Sequence, residues 1–229
     1  MKMIINPIHI HSFTVTPQQA IQIQQNLRVR VITSGKVSNL NYVAGVDVGF
    51  YKGQATAAIA ILKMPDLQLC DQAVATRPVE FPYIPGLLSF RELPVILDAL
   101  EKITMIPDVI ICDGQGIAHP RRLGIASHLG VLTDMCTIGA AKSRLIGTYR
   151  ELLTQKGEWV PLVDKNETIG VVLCTRNAVK PLYISVGHRI DLETAIEIVM
   201  RCVTKYRLPE TTRVAHRMAA DAKIANGNL

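Results

Sequence analysis

Residues 42–62 read YVAGVDVGFYKGQATAAIAIL, and this stretch decides the fold class. Two extended runs, Tyr42 to Gly49 and Thr56 to Leu62, flank the turn chemistry of Tyr51-Lys52-Gly53-Gln54, which predicts a β-hairpin. A third strand around Leu67 to Ala75 extends the hairpin into an antiparallel meander. Pro78, Pro82 and Pro85 then remove backbone donors and fix φ, so the segment after it is expected to be a shaped loop. Upstream, Thr16 precedes Pro17 at the first helical position, and Gln19 completes a capping box. The helix this predicts, at about 16–33, places Ala20, Ile23, Leu27 and Val31 on one face and closes at Ser34-Gly35. Downstream, Ser89 begins a helix, Val109 to Cys112 is a buried strand, and Ser127 to Met135 is a helix. Ile169 to Leu173 and Leu182 to Val186 are short strands, followed by helices from Asp191 to Tyr206 and after Pro209. The alternation predicts an α/β fold, and no repeat or linker divides residues 1–229, so a single domain is expected.

Composition narrows the function. With 48% hydrophobic and 19% charged residues the chain can bury a core, which excludes a disordered or fibrous protein. No apolar run approaches the roughly 20 residues that span a bilayer, and Asn6, His9 and His11 interrupt any leader, so a cytoplasmic, non-membrane protein is expected. Cys70, Cys112, Cys136, Cys174 and Cys202 are dispersed, with no C-x-x-C pair for zinc or redox chemistry. A net charge of +6 favours a polyanionic partner, because clustered Lys and Arg gain affinity by releasing phosphate counterions.

Three carboxylates stand where a carboxylate needs a reason. Asp47 interrupts the apolar strand Val46-Asp47-Val48, where an acid is costly to bury without a cation or several donors; an outward-facing Asp on an alternating strand is the plain alternative. Asp113 ends the apolar run Val109-Ile110-Ile111-Cys112, and strand carboxyl ends are where α/β sheets place ligands, although Asp-Gly also starts turns. Glu92 fits a capping box with Ser89 and equally could face the strand ends from its helix. Together the three suit hard divalent cations such as Mg²⁺ or Mn²⁺, which activate water and neutralise a phosphodiester. The arrangement is the one expected of a ribonuclease H-like fold: a central mixed sheet, in which an antiparallel meander leads into parallel strands, flanked by helices.

The segments Ala44-Gly45-Val46-Asp47-Val48, Pro82-Tyr83-Ile84-Pro85-Gly86 and Phe90-Arg91-Glu92 resemble the endonuclease V family of deoxyinosine-specific repair nucleases. The likeness continues through Asp113-Gly114-Gln115-Gly116, His119-Pro120-Arg121 and Gly124 to Gly130, then Ile138 to Lys142, Gly187-His188-Arg189 and Thr212 to His216. Gly49, Gln115, Ala118, Ala141 and Val186 depart from the family's usual pattern, and of these Gln115 and Ala118 would alter the lining of a lesion pocket.

The resemblance implies a Mg²⁺-dependent endonuclease, with Mn²⁺ also supporting activity, acting on deoxyinosine-containing DNA as a monomer. Asp47, Asp113 and Glu92 would bind the metal, His216 would complete the site directly or through water, and Lys142 would sit near the scissile phosphate. Pro82, Tyr83, Ile84 and Pro85 would form a wedge entering the duplex, where the plain alternative is a tyrosine packed on the core. The flipped base would enter a pocket made by Gly86, Leu88, Gly114, Gly116, His119, Gly124, Ile125 and Leu145, whose glycines let backbone approach a flat base.

Three other readings stay open. Inosine-containing RNA could replace DNA as substrate. Gly45-Val46-Asp47-Val48-Gly49 also resembles the phosphate hairpin of sugar kinases and actin-like ATPases, although Phe50 replaces the expected hydroxyl residue and the chain is short for a duplicated domain. The third is a nucleic-acid-binding protein that keeps the fold without the chemistry.

Overall fold

The computed structural model describes residues 11–150 and 154–227; Asn6 and His9, set above against a leader, lie outside them. Its first helix, α1, spans Pro17–Leu27, capped by Thr16 with the reciprocal Gln19 bond that the sequence predicts. The helix stops short of residue 33, because Arg28–Arg30 tightens into a 3-10 turn. Its buried residues are Ala20 and Gln24, whereas the apolar line through Ile23 and Leu27 is only partly covered.

The meander forms as read. Strands β1 (Tyr42–Tyr51), β2 (Gln54–Lys63) and β3 (Gln68–Pro78) pair antiparallel in sequence order. β3 runs three residues past Ala75, to Pro78, because it lies at the sheet edge, where a missing N–H breaks no ladder. β4 (Val109–Cys112) then joins β1 in parallel, and β5 (Thr137–Ala141) joins β4 in parallel. β8 (Leu182–His188), β7 (Glu167–Leu173) and β6 (Trp159–Asp164) complete one eight-stranded mixed sheet in the order β3-β2-β1-β4-β5-β8-β7-β6. Its first five strands, with helices on both faces, make the fold ribonuclease H-like, as the sequence implies.

Two strands went unread. β5, TIGAA, is only five residues long and ends in Gly-Ala-Ala, which has little strand propensity, and β6 carries Pro161 on the opposite sheet edge. The apolar run of β4 is buried on both faces. Ile110 and Cys112 pack beneath α2 (Leu88–Leu100) and α3 (Ile125–Thr133), while Val109 and Ile111 pack toward α4 (Leu192–Arg201). The last helix, α5 (Glu210–Gly227), lies across β1 and β2. Among the described residues, no helix is long and apolar enough to cross a membrane.

The capping box expected at Ser89 and Glu92 does not form. α2 begins one residue earlier, at Leu88, with Leu87 as an N-cap that supplies no side-chain bond. The Ser89 hydroxyl is bonded instead to His128 Nδ1 at 2.9 Å, and Glu92 is carried a full turn into the helix.

Candidate active site

β1 and β4 run parallel with Val46 opposite Cys112, so Asp47, still within β1, and Asp113, just past β4, each stand one residue on from a matched pair. The Asp113 N–H donates to the Val46 carbonyl at 3.4 Å, which continues the ladder up to the second acid. Both side chains are largely buried, at 12% and 15% exposure.

α5 delivers His216 to this point because Gly45 lacks a side chain. A Cβ on Gly45 would stand 2.1 Å from the carbonyl carbon of Thr211, so the helix backbone can rest directly on β1 only at a glycine. Gly45 and Asp47 share one face of the strand. One turn beyond Thr211, His216 Nδ1 lies 2.9 Å from Asp47 Oδ2. Lys142, just past β5, makes an ion pair with Asp113 Oδ2.

Glu92 enters from α2. Its burial, then the negative charges of Asp47 and Asp113, raise its carboxyl pKa to about 8, with Arg91 opposing weakly. Asp113 is also raised, by burial first, with Asp47 adding to the rise, while Lys142 and His216 oppose it. Glu92 therefore senses both aspartates, and Asp113 senses Asp47. Hard carboxylate oxygens gathered this closely are a donor set that fits a divalent cation. Asp47, Asp113 and Glu92 could hold it, although among the described residues no three acid, His or Cys side chains already converge on one point. Lys142 and His216 occupy the nearest carboxylate oxygens instead.

A cavity of about 340 Å³ opens beside the acids, within the usual range for ligand clefts. Its wall includes Asp113 and Lys142, and also Gly86, Leu88, Gly114, His119, Gly124, Ile125 and Leu145, all expected in the pocket from sequence. Gly116 is not in the wall. A Cβ there would stand 1.9 Å from the Val186 carbonyl oxygen, and its N–H is spent on Ser185 Oγ, so this glycine packs the loop onto β8. Of the proposed wedge, Tyr83, Ile84 and Pro85 line the mouth and Pro82 does not. Tyr83 is 71% exposed, which removes the alternative of a core-packed ring.

His119 offers less than the sequence suggests. A carbonyl only accepts, so Nε2, 2.9 Å from the Gly86 oxygen, must carry the proton; Nδ1 then accepts from the Arg121 N–H at 3.2 Å. Burial, then Arg121, depress its pKa to about 4, which keeps the ring neutral. With both nitrogens engaged, it presents its ring to the cavity rather than a hydrogen-bonding edge.

Gln24 and Arg144 line the cavity without having been named from sequence as parts of it. Of the two departures expected to alter the lining, Gln115 is in the wall and Ala118 is not; Gln115 donates from Nε2 to the Ser143 carbonyl at 2.9 Å, and its buried Oε1 has no partner among the described residues. Gln24 comes from α1, whose apolar pattern carries no hint that a glutamine would be buried beside the cavity.

Comparison with known proteins agrees along the chain. The family profile described as endonuclease V matches residues 25–217. A curated endonuclease V of Nostoc punctiforme is 58% identical over 213 residues, covering 92% of this chain and 96% of its own. The crystal structure of endonuclease V from Streptomyces avermitilis superposes with a TM-score of 0.88 at 40% identity, covering 93% of this chain and 95% of that one. The Ciona intestinalis endonuclease V, solved with a 24mer DNA containing an inosine followed by a ribo-adenosine, gives a TM-score of 0.79 at 28% identity, covering 91% and 98%.

Proposed function

The chain belongs to the endonuclease V family and is thereby a nuclease, and from that premise we propose that it hydrolyses nucleic acid beside inosine, in DNA before RNA, with Mg²⁺ or Mn²⁺ held by Asp47, Asp113 and Glu92. One observation carries the reading: Asp113 and its partner Lys142 form part of the same cavity wall as Gly86, Gly114 and Gly124. A base held against that wall brings its own strand to the acids. The inosine-containing DNA bound by the Ciona relative supports the choice of ligand.

When bound, the divalent ion would supply a water of lowered pKa and neutralise charge on the phosphodiester. Asp47 and Asp113 orient the site from two adjacent strands, so their spacing is set by the β1 to β4 ladder rather than by flexible loops. His216 orients Asp47 by a hydrogen bond, and Lys142, paired with Asp113, offers a positive charge beside the reacting phosphate. Exposed Tyr83, between Pro82 and Pro85, fills the gap that a flipped base leaves. The resemblance to the family implies that the cut falls 3′ to the lesion, at the second phosphodiester, leaving a 3′-hydroxyl and a 5′-phosphate, and a strand running on from the pocket to the acids is compatible with an offset from the base.

The deciding experiment compares metal-dependent cleavage of matched inosine-containing DNA, inosine-containing RNA and adenine controls, with the nick mapped on an end-labelled strand. Cleavage of inosine DNA at the second 3′ bond is expected. Equal cutting of the adenine control, or a cut 5′ to inosine, would refute the reading, and cutting of RNA alone would reassign the substrate. The family match over residues 25–217 favours this reading over a sugar kinase or actin-like ATPase.

A further inference from the structure

Gly86 closes the Tyr83 loop in the left-handed region, at φ +80°. Its carbonyl oxygen receives three donors: Arg121 Nη2 at 2.7 Å, His119 Nε2 at 2.9 Å and Gln24 Nε2 at 3.1 Å. A carbonyl has two lone pairs, so this oxygen is fully committed to the protein. A Cβ on Gly86 would stand 2.9 Å from Arg121 Nη2, which is why the guanidinium can close over it only at a glycine.

Gln24 organises the group. It is 1% exposed, and its amide is fully used. Nε2 also donates to the Leu123 carbonyl at 3.1 Å, while Oε1 accepts from Arg121 Nε at 2.5 Å. This pattern fixes the orientation of the amide, since the reverse would set an oxygen against two carbonyls. One α1 side chain thus ties together the end of the Tyr83 loop, the residue before Gly124, and the arginine that caps both. Ala20, one turn earlier on the same face, packs with Phe81, Leu87 and Phe90 at the base of that loop. The other end is held separately: Arg91 Nη1 donates to the Phe81 carbonyl at 2.8 Å. Tyr83 stands exposed between two pinned ends.

We propose that Gln24 is a positioning residue for lesion engagement: through Arg121 and the Gly86 carbonyl, α1 holds the Tyr83–Gly86 segment at the height and angle at which it meets the substrate. It touches neither the acids nor the reacting phosphate. The inference deepens the reading of Tyr83 as a wedge and rests on it. The helix is therefore a working part of the cavity, although Gln24 lies just ahead of the segment that matches the family profile.

The test uses Gln24→Met, which keeps length and shape without polar atoms, and Arg121→Gln, which removes the shortest donor from a partly exposed site and does not depend on a buried substitution. Hydrogen exchange of a peptide covering residues 81–88 is measured on the protein alone, and kcat and KM on an inosine duplex with Mg²⁺. Expected are exchange in 81–88 faster by about fivefold, the scale of one lost hydrogen bond, and a KM raised by a similar factor with kcat within about twofold. A merely structural role would speed exchange throughout and leave the KM to kcat ratio of the folded fraction unchanged. Exchange in 81–88 equal to wild type in both variants would overturn the proposal, as would a kcat that falls while KM holds. Failure of the wild-type protein to cut inosine duplex would refute the functional reading instead, and the exchange measurement would still decide whether the clamp exists.

Discussion

His216 Nδ1 stands 2.9 Å from Asp47 Oδ2, yet His216 is 60% exposed and Asp47 only 12%. The pair joins the last helix to the first strand, and the asymmetry in burial assigns different roles. Asp47 is enclosed on the strand, whereas His216 stands open to solvent. Asp47→Asn and Asp113→Asn each keep shape while removing charge, and each should lower cleavage by more than about a hundredfold with the fold intact. His216→Ala should instead weaken apparent metal affinity by about tenfold or more, as loss of an orienting partner does, and be rescued by raising Mg²⁺. Activity measured against Mg²⁺ concentration separates the two behaviours. Rescue of Asp47→Asn by added metal would place the ligand elsewhere.

Glu92 predicts a conflict between stability and function. Its folded pKa of about 8 lies above the ordinary 4.5, so the folded protein binds this proton more tightly than the unfolded chain does. The stability this contributes is complete below about pH 4.5 and is lost as pH rises through about 8. In metal-free protein Glu92→Gln removes the penalty, and at pH 8.5 should raise the melting temperature by about 5 °C or more. The same variant should not cut DNA. A Glu92→Gln protein that melts below wild type at that pH in chelator would show that the carboxylate is already compensated.

Tyr83→Ala tests the exposed ring. Little of the fold rests on a side chain that is 71% exposed, so the melting temperature should stay within about 2 °C while affinity for inosine duplex falls by about tenfold. Binding is best measured with Ca²⁺, which should support engagement without cutting. Unchanged affinity with a collapsed turnover rate would remove the wedge assignment.

The sequence made legible what obeys local rules. The meander is set by strand period and the Lys52-Gly53 turn, and the two aspartates are conspicuous because a carboxylate in an apolar run needs a cause. Ser89 and Glu92 misled, since an S-x-x-E pattern describes a helix start only if the helix starts there, and Leu87 rather than Ser89 is the cap. Gln24 was invisible for a different reason. A glutamine on an amphipathic helix reads as solvent-facing, and only the approach of Gly86, Arg121 and Leu123, distant in sequence, makes it a buried junction. Gly116 shows the same limit: the family resemblance implies a pocket wall, and its neighbour in space, Val186, makes it a packing contact.

That contrast gives a pair of substitutions differing by the same single methyl group. In Gly116→Ala the added carbon would stand 1.9 Å from the Val186 carbonyl oxygen, and a strand backbone cannot retreat without breaking β8 away from β5. The protein should lose stability heavily, by about 3 kcal/mol or more, with melting temperature falling by roughly 6 °C at least. In Gly114→Ala the carbon meets the Ile125 Cγ2 methyl at 2.5 Å, a side-chain rather than a backbone atom, which yields only by a shift of a β-branched residue, and both residues line the cavity. This variant should fold, losing about 1 to 3 kcal/mol, while the displaced isoleucine narrows the space for a base. Inosine-directed cleavage should fall by about tenfold or more, with metal affinity, read by calorimetry, close to wild type. Thermal melts of the two proteins, run beside cleavage assays, decide the matter. A stable Gly116→Ala that loses inosine selectivity would return that residue to the pocket wall, and a fully selective Gly114→Ala would move the base away from Ile125.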